Sequence, residues 1–279
     1  MKLALISDIH GNYKALEAFL NYIENKEIDR IICLGDMVTD SPNPRKVLDM
    51  IYGMAKTYPT TFIRGNREQY LIDHFHHPQG WKPYTSATGS LWYTAGQITE
   101  EDIRFFESLP ISARLDEKDC PPTMLCHGSP KELRGNVLED PMLKEKMLKV
   151  MEEDYLLGGH SHHLVMETID GKTYINPGAL GLAIDGVGGH APFCILTVEE
   201  GYEVTFVSIP YDVERYLKDF TEVGLDEYGC VLNRAIKKTL RTGINYFYKT
   251  VMEAIRISGK PIGEISEEVW EQAAEHLEV

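Results

Sequence analysis

The sequence predicts an α/β protein, because short apolar runs alternate with segments of helical periodicity along its first half. The runs are short enough to be buried strands rather than helices. Five of them lead into an aspartate, asparagine or histidine, the side chains that bind divalent metals. Ligands of open α/β sheets lie beyond the carboxyl ends of the strands, so we expect these side chains to converge. They are Asp8, His10, Asp36, Asn66, His127, His160 and His162.

The first three strands each precede a helical pattern. Strands are expected at residues 3–7, 31–34 and 60–63, and helices at 11–26, from Asp40 onwards and at 66–74. Asp40 is interpreted as a cap of the second helix rather than as a metal ligand. The β-α-β order argues for parallel pairing with right-handed crossovers.

The middle of the chain has a different pattern. Residues 78–110 are expected to form a helical excursion, with a helix that opens at Thr99. A further helix is expected near residues 141–152, and Asp170-Gly171 is a hairpin turn signal. Strands then follow closely, which predicts a second, more antiparallel sheet. They are expected at 111–115, 123–126, 155–158, 164–169, 172–176, 193–198 and 202–208.

The composition changes after Pro210, where three or four helical patterns follow one another. We therefore expect a first domain at residues 1–210 and a C-terminal helical extension at 211–279 that packs on or beside it. Its expected roles are packing, substrate shape or the contact of a homodimer.

The overall composition is that of an ordinary soluble protein, with 43% hydrophobic and 25% charged residues. The net charge of −15 disfavours a nucleic-acid polymer as partner, because phosphates would be repelled at long range. The 5 cysteines lack CxxC spacing, which indicates reduced thiols and a cytoplasmic protein. No apolar run approaches the roughly 18 residues of a membrane span, so no membrane partner is expected.

Five short motifs occur in an order that resembles the calcineurin-like metallophosphoesterase family, in its smaller bacterial and archaeal branch. The motifs are Asp8-Ile9-His10, Gly35-Asp36, Gly65-Asn66, His127-Gly128 and Gly159-His160-Ser161-His162. The resemblance covers residues 1 to about 208 and extends to the turn at Asn176-Pro177-Gly178.

The resemblance implies a four-layer α/β/β/α sandwich of two mixed β-sheets flanked by helices, with two metal ions at the strand ends. One ion would be held by Asp8, His10, Asp36 and His162. The other would be held by Asp36, Asn66, His127 and His160. Nitrogen and oxygen ligands suit divalent or mixed-valence Mn, Fe, Zn or Co and do not choose among them.

The third motif departs from the family pattern. The family often has a histidine after the asparagine, which is assigned to protonating the leaving group, and Arg67 stands there instead. Arginine stays protonated, so Arg67 cannot pass on a proton, but it can hold a phosphoryl oxygen. The alternative is that Arg67 forms an ordinary ion pair. Glu68 could support a neighbouring metal ligand.

Four further residues are candidates for substrate binding, namely His163, His190, Lys131 and Arg134. His163 directly follows the last motif, and His190 lies in a glycine-rich loop. Lys131 and Arg134 follow His127 in an expected rim loop. The alternatives are a simple strand residue for His163 and solvated charges for the two cations.

The sequence thus predicts an enzyme, a dinuclear metal-dependent phosphoesterase that acts on small phosphate compounds. Arg67 favours substrates with good leaving groups, such as phosphoanhydrides or aryl esters, because these need no proton donor. Two alternatives stay open: a general phosphodiesterase or phosphomonoesterase, and a metal-binding scaffold of the same fold with weak catalysis.

Overall fold

The computed structural model describes residues 1–78, 80–134 and 140–279. Two five-stranded mixed sheets face each other with helices outside them, which confirms the predicted sandwich. The strands are β1 (Lys2–Ile6), β2 (Arg30–Cys33), β3 (Thr60–Phe62), β4 (Ser112–Arg114), β5 (Thr123–Cys126), β6 (Tyr155–Leu157), β7 (Leu164–Ile169), β8 (Lys172–Pro177), β9 (His190–Val198) and β10 (Tyr202–Pro210). The helices are α1 (Tyr13–Ile23), α2 (Pro44–Thr57), α3 (Asn66–His76), α4 (Gly89–Ala95), α5 (Glu100–Ser108), α6 (Pro141–Val150), α7 (Val213–Glu222), α8 (Leu225–Thr242), α9 (Tyr246–Ser258) and α10 (Glu267–His276).

The first sheet has the order β10-β9-β1-β2-β3. Its strands β1, β2 and β3 are parallel, as the β-α-β order predicts. Ile6 pairs with Cys33, and Cys33 pairs with Phe62, so the three strands end at one level. The loops that carry the first three motifs therefore leave the sheet at the same edge.

The second sheet has the order β4-β5-β6-β8-β7. Its central strands β5, β6 and β8 are parallel, and its two outer strands are antiparallel to their neighbours. The turn between β7 and β8 consists of Asp170 and Gly171 with φ of 50° and 78°, which confirms the hairpin.

The prediction that all strands from residue 111 onwards share one sheet is wrong for β9 and β10. These two strands return to the first sheet, where β9 pairs antiparallel with β1. Ala191 and Phe193 of β9 face the helices, while Cys194 and Leu196 face the other sheet. A strand that is buried on both faces fits beside β1, and local periodicity carries no information about that distant partner.

Alternate residues of each strand build the layers of the sandwich. Leu3 and Leu5 of β1 pack against the second sheet, together with Leu125, Leu157 and Ile175 of that sheet. Ala4 and Ile6 face α1 and α2. On the outer face of the second sheet, Leu156 and Tyr174 pack against Leu148 of α6.

The C-terminal helices belong to two cores. Tyr216 and Phe220 of α7, with Ile236 of α8, are buried in the core on the helix side of the first sheet. Val251 of α9 and Trp270 of α10 lie in a smaller cluster with the other face of α8. The domain division after residue 210 stays a prediction. Within the described ranges, no helix is both long and apolar enough to cross a membrane.

The second helix begins later than predicted. Its first residue is Pro44 and its N-cap is Asn43, so Asp40 is not a cap of α2. Proline is favoured at the first helical position, and it sets the start of this helix. Asp40 remains in the preceding loop, where its side chain turns towards His10 and Arg67.

Candidate metal centre

The predicted metal-binding residues meet where the loops after β1 and β2 run side by side. The backbone N–H of Asp8 donates to the carbonyl of Gly35 at 3.0 Å, and that of His10 donates to the carbonyl of Asp36 at 2.9 Å. The loop after β6 joins them, because the N–H of His160 donates to Oδ2 of Asp8 at 3.0 Å. Three of the five motifs are thus tied together by hydrogen bonds that their main-chain N–H groups donate.

Many residues of the centre adopt a left-handed backbone. The φ values of Asp8, His10, Asp36, His160 and His162 are 54°, 43°, 51°, 66° and 62°. This region is unfavourable for side chains with a Cβ and persists only where the surrounding structure imposes it. Such strain tends to cluster at functional sites.

Gly35 shows why a glycine precedes Asp36. Its φ is 95°, and a Cβ there would lie 2.4 Å from the backbone nitrogen of Gly65. Only glycine lets the second and third motifs approach this closely.

The first group of metal-binding atoms comes from Asp8, His10 and His162. Nε2 of His162 lies 3.2 Å from Nε2 of His10 and 3.2 Å from Oδ1 of Asp8. Nε2 of His10 lies 3.8 Å from Oδ1 of Asp8 and 3.8 Å from Oδ2 of Asp36. These atoms face one small space.

The second group comes from Asp8, Asp36 and His127. Nε2 of His127 lies 3.5 Å from Oδ2 of Asp36 and 3.2 Å from Oδ1 of Asn66. The ring of His160 lies beside that of His127, with 5.1 Å between their centroids. Oδ2 of Asp36 therefore lies between the two groups.

The hydrogen bonds of the histidines indicate that these groups fit a cation. Nδ1 of His127 donates to the carbonyl of Leu34 at 2.7 Å, and Nδ1 of His162 donates to that of Leu182 at 3.0 Å. In the neutral rings, Nε2 then carries a lone pair that faces the centre, as metal-ligating histidines require. For His127 this lone pair faces the amide oxygen of Asn66, another acceptor.

An orphaned oxygen points to the same conclusion. Oδ1 of Asp8 is buried and has no hydrogen-bond partner in the described part of the chain. Buried carboxylate oxygens are normally paired with a donor or coordinate a metal. The residues present therefore fit a bound metal.

The electrostatics of the centre favour positive charge. Burial opposes ionisation of Asp36, but the charge of His127, its hydrogen bond and the charge of His10 together outweigh burial and lower the pKa of Asp36 to about 2. Burial and the charge of His127 together lower the pKa of His160 to about 4. Burial works against protonation of His127, yet Asp36 and Asp8 raise its pKa to about 10. Two buried carboxylates thus attract a cation, as a proton or as a metal ion.

Two residues hold the backbone of the loops that carry the predicted metal ligands. Glu68 is fully buried, and its carboxylate accepts hydrogen bonds from the N–H groups of Asp36, Met37 and Gly65 at 2.9, 2.8 and 2.8 Å. This agrees with the predicted supporting role of Glu68. Nδ2 of Asn176 donates to the carbonyl of Gly159 at 2.8 Å and so holds the loop that carries His160 and His162.

Arg67 lies beside the metal centre and pairs with Asp40, which the sequence predicts to be a helix cap. Nη2 of Arg67 lies 3.2 Å from Oδ2 of Asp40, and Nε lies 3.9 Å from Oδ2 of Asp36. The same oxygen of Asp40 lies 3.7 Å from Nδ1 of His10. Burial lowers the pKa of Arg67, but Asp40 and Asp36 raise it above its ordinary value. Asp40 is thus part of the site, and no sequence motif marked it.

A cavity of about 270 Å³ opens beside these groups. Its wall contains His10, Asp36, Asp40, Asn66, Arg67, Ser161 and both histidines of the last motif, and also Leu182, Ile236, Asn245, Phe247 and Tyr248. The C-terminal helices therefore contribute to the site. Tyr248 belongs to the aromatic run Tyr246-Phe247-Tyr248, which the sequence assigns to packing in preference to stacking on a base.

The four candidate substrate-binding residues lie in different places. His163 lines a second cavity next to the first. Lys131 lies in a groove beside α6, and the guanidinium of Arg134 lies 4.0 Å above the ring of Tyr70. His190 begins β9, with Nδ1 bonded to the carbonyl of Gly188 at 2.9 Å. The last three are not among the described residues that line either cavity.

A four-layer sandwich with buried aspartates and histidines at its strand ends defines the class of the metallophosphoesterases, which use divalent metals. A family model described as the calcineurin-like phosphoesterase superfamily domain matches residues 1–201. The chain belongs to this superfamily.

Several known proteins are similar to the chain. The uncharacterized protein MJ0912 of Methanocaldococcus jannaschii is 27% identical over 252 residues, which are 81% of this chain and 94% of that protein. The hypothetical protein PH1004 of Pyrococcus horikoshii superposes with a TM-score of 0.73 at 22% identity, over 87% of this chain and 98% of that one. A metallophosphoesterase of Sphaerobacter thermophilus gives 0.65 at 23% identity, over 88% and 100%. These two structures support the fold.

Proposed function

We propose that the chain is a dinuclear metal-dependent phosphoesterase that hydrolyses small phosphate compounds. The observation that carries the proposal is the position of Oδ2 of Asp36, which lies 3.8 Å from Nε2 of His10 and 3.5 Å from Nε2 of His127. A carboxylate between two groups of ligand atoms suits a bridge between two ions.

The proposed ligand sets follow the two groups of atoms. The first ion is assigned to Asp8, His10, Asp36 and His162, and the second to Asp36, Asn66, His127 and His160. The metals are Mn, Fe, Zn or Co, because the donors are nitrogen and oxygen atoms. When bound, such a pair lowers the pKa of a shared water and binds phosphoryl oxygens.

The protein's own groups orient the substrate. The carbonyls of Leu34 and Leu182 fix the rings of His127 and His162, so their Nε2 atoms stay aimed at the centre. The guanidinium of Arg67 is only 18% exposed and lines the cavity, where it offers hydrogen bonds to a phosphoryl oxygen. In that position it also offsets the charge that develops during displacement.

The preferred substrates have good leaving groups. Arg67 stays protonated and gives no proton to a departing alkoxide. Proton transfer from a placed acid typically contributes about 10²–10⁴-fold. The leaving groups of phosphoanhydrides, such as dinucleoside polyphosphates or nucleotides, and of aryl phosphate esters depart without a proton donor.

Turnover of p-nitrophenyl phosphate and its bis-ester, with and without added Mn²⁺, tests the proposal. We expect metal-dependent release of nitrophenolate that a chelator stops and Mn²⁺ restores. Metal binding without turnover of either ester, or of diadenosine tetraphosphate, would instead fit a metal-binding scaffold of this fold.

A further inference from the structure

The first turn of α9 forms a wall of the cavity beside the metal centre. Asn245, Phe247 and Tyr248 line the same cavity as His10, Asp36 and Arg67. Ile236 of α8 also lines it. These residues come from the C-terminal helices, far along the chain from the metal motifs. A substrate whose phosphoryl group lies at the metal centre therefore has this turn as a neighbouring wall.

A second cavity of about 450 Å³ adjoins the first. Ser161, Asn245 and Tyr248 line both cavities, so they form the boundary between them. The remaining wall of the second cavity consists of His163, Val165, Tyr174 and Ile184. Together the two cavities reach the size of an ordinary small-molecule site, about 300–1,000 Å³.

The second cavity has the lining of an aromatic-group site. Val165, Ile184 and the rings of Tyr174 and Tyr248 are apolar surfaces. The polar atoms of the lining come from His163, Ser161 and Asn245. The side chain of Tyr248 is 58% exposed although it borders both cavities. A large exposed ring next to a cleft is available for stacking.

The first turn of α9 follows a segment that is fixed to the glycine-rich loop at residues 186–190. Oδ1 of Asn245 accepts the N–H of Tyr248 at 2.9 Å and caps the helix. The end of α8 and the residue after it are hydrogen-bonded to this loop. The N–H of Gly186 donates to the carbonyl of Gly243 at 2.9 Å, and the N–H of Gly189 donates to the carbonyl of Leu240 at 2.8 Å. This loop, which carries the predicted substrate-binding residue His190, holds the C-terminal helices.

Gly188 allows the end of α8 to lie against the glycine-rich loop. A Cβ at this position would lie 1.9 Å from the carbonyl oxygen of Arg241, so any other residue would push α8 away from the loop. The wall formed by the start of α9 is therefore built into the fold.

We propose that Tyr248 and the second cavity select phosphate compounds that carry a flat aromatic group, a nucleobase or an aryl ring. The phosphoryl group lies at the metal centre, and the aromatic group stacks on Tyr248 in the second cavity. His163 lies within this cavity and contacts the edge of the aromatic group. The inference rests on the proposed phosphoesterase function, because that function supplies the position of the phosphoryl group.

Binding by the metal-loaded protein tests this selection, with adenosine 5′-monophosphate and inorganic phosphate as probes. The two share a phosphate, and only the nucleotide has a base. In Tyr248→Ala we expect the Kd of the nucleotide to rise by about 5- to 150-fold, the range of a lost stacking contact. The Kd of inorganic phosphate stays within about twofold of wild type, because no charged group of the centre changes.

Two variants serve as controls for this measurement. Tyr248→Phe keeps the ring and is expected to bind the nucleotide as wild type does. Tyr246→Ala removes a tyrosine from the same helical turn, where the ring lies 4.2 Å from Nζ of Lys238 and does not line either cavity among the described residues. It is expected to leave both affinities unchanged.

The outcomes separate the inference from the function on which it rests. Equal losses for nucleotide and phosphate in Tyr248→Ala, or a wild type that binds both equally, would overturn the selection while leaving hydrolysis intact. Selective loss of nucleotide affinity in a protein that hydrolyses no phosphate compound would support the aromatic site and reject the phosphoesterase.

Discussion

Oδ2 of Asp40 lies 3.2 Å from Nη2 of Arg67 and 3.7 Å from Nδ1 of His10. One buried carboxylate therefore faces both the arginine that replaces the family's histidine and a proposed metal ligand. Asp40 is placed to orient both side chains, and its own φ of 58° shows that the loop is shaped to present it.

Asp40→Asn tests this positioning role. The substitution removes the charge that holds Arg67 and faces His10, and we expect kcat/KM or metal affinity to fall by about 10- to 100-fold, as is typical for partners behind metal ligands. Turnover and metal content of the purified variant are the measurements. Asp49→Asn is the matched control, since Asp49 pairs with Arg45 on the exposed face of α2. Wild-type turnover and metal content in Asp40→Asn would contradict the role.

Because Arg67 gives no proton, we expect kcat/KM to depend steeply on the pKa of the leaving group. Without a proton donor, the rate should fall sharply as the leaving group becomes more basic. The measurement is kcat/KM for aryl and alkyl phosphates and diadenosine tetraphosphate at fixed Mn²⁺. Arg67→His introduces a group that can donate a proton, and we expect its dependence to be flatter than that of wild type.

A surface variant controls for general effects on the leaving-group series. Arg104 lies on the exposed face of α5, so Arg104→His should show the same dependence of kcat/KM on leaving-group pKa as wild type. A flat wild-type series, or alkyl esters cleaved as fast as the anhydride, would mean that another residue supplies the proton. His163 would then be the first residue to change.

Glu68→Gln is expected to destabilise the protein before any effect on chemistry is considered. The carboxylate accepts three backbone N–H groups, and an amide nitrogen in place of one oxygen leaves at least one of them unsatisfied. The expected loss is about 1–3 kcal/mol in the free energy of unfolding. Denaturant unfolding with a chelator present measures it without the contribution of metal binding. Glu17→Gln, on the surface of α1, should change stability by less than about 0.5 kcal/mol.

A chain that ends at Pro210 is expected to be insoluble or aggregated. Tyr216 and Phe220 are buried against the core on the helix side of the first sheet, so their removal uncovers a large apolar area. If some of the shortened protein is soluble and folded, it should still bind metal, because every proposed ligand precedes residue 163. Loss of metal from a well-folded shortened chain would show that the C-terminal helices supply a ligand.

The metal centre could be predicted from sequence because its information is local. Each proposed ligand directly follows a short apolar run, and parallel strands bring such positions to one edge of the sheet. The distances between His10, His162 and Asp8 agree with that convergence. The ligand roles themselves stay a prediction.

The remaining parts of the site depend on contacts that periodicity does not encode. Tyr248 reaches the cavity only because Gly188 lets α8 lie against the glycine-rich loop. Asp40 was assigned to a helix cap because its neighbours resemble a helix start, whereas Pro44 sets the true start. The partner of β9 is β1, nearly two hundred positions earlier in the chain.

The central claim is that Asp36 serves two metal ions that are required for phosphoester hydrolysis. Asp36→Asn, compared with wild type by elemental analysis and by turnover of bis-p-nitrophenyl phosphate in Mn²⁺, tests it most directly. We expect wild type to hold two metals per chain, as a bridged pair requires, and the variant to lose metal and nearly all turnover. An Asp36→Asn protein with two tightly held metals and a normal rate would contradict the account.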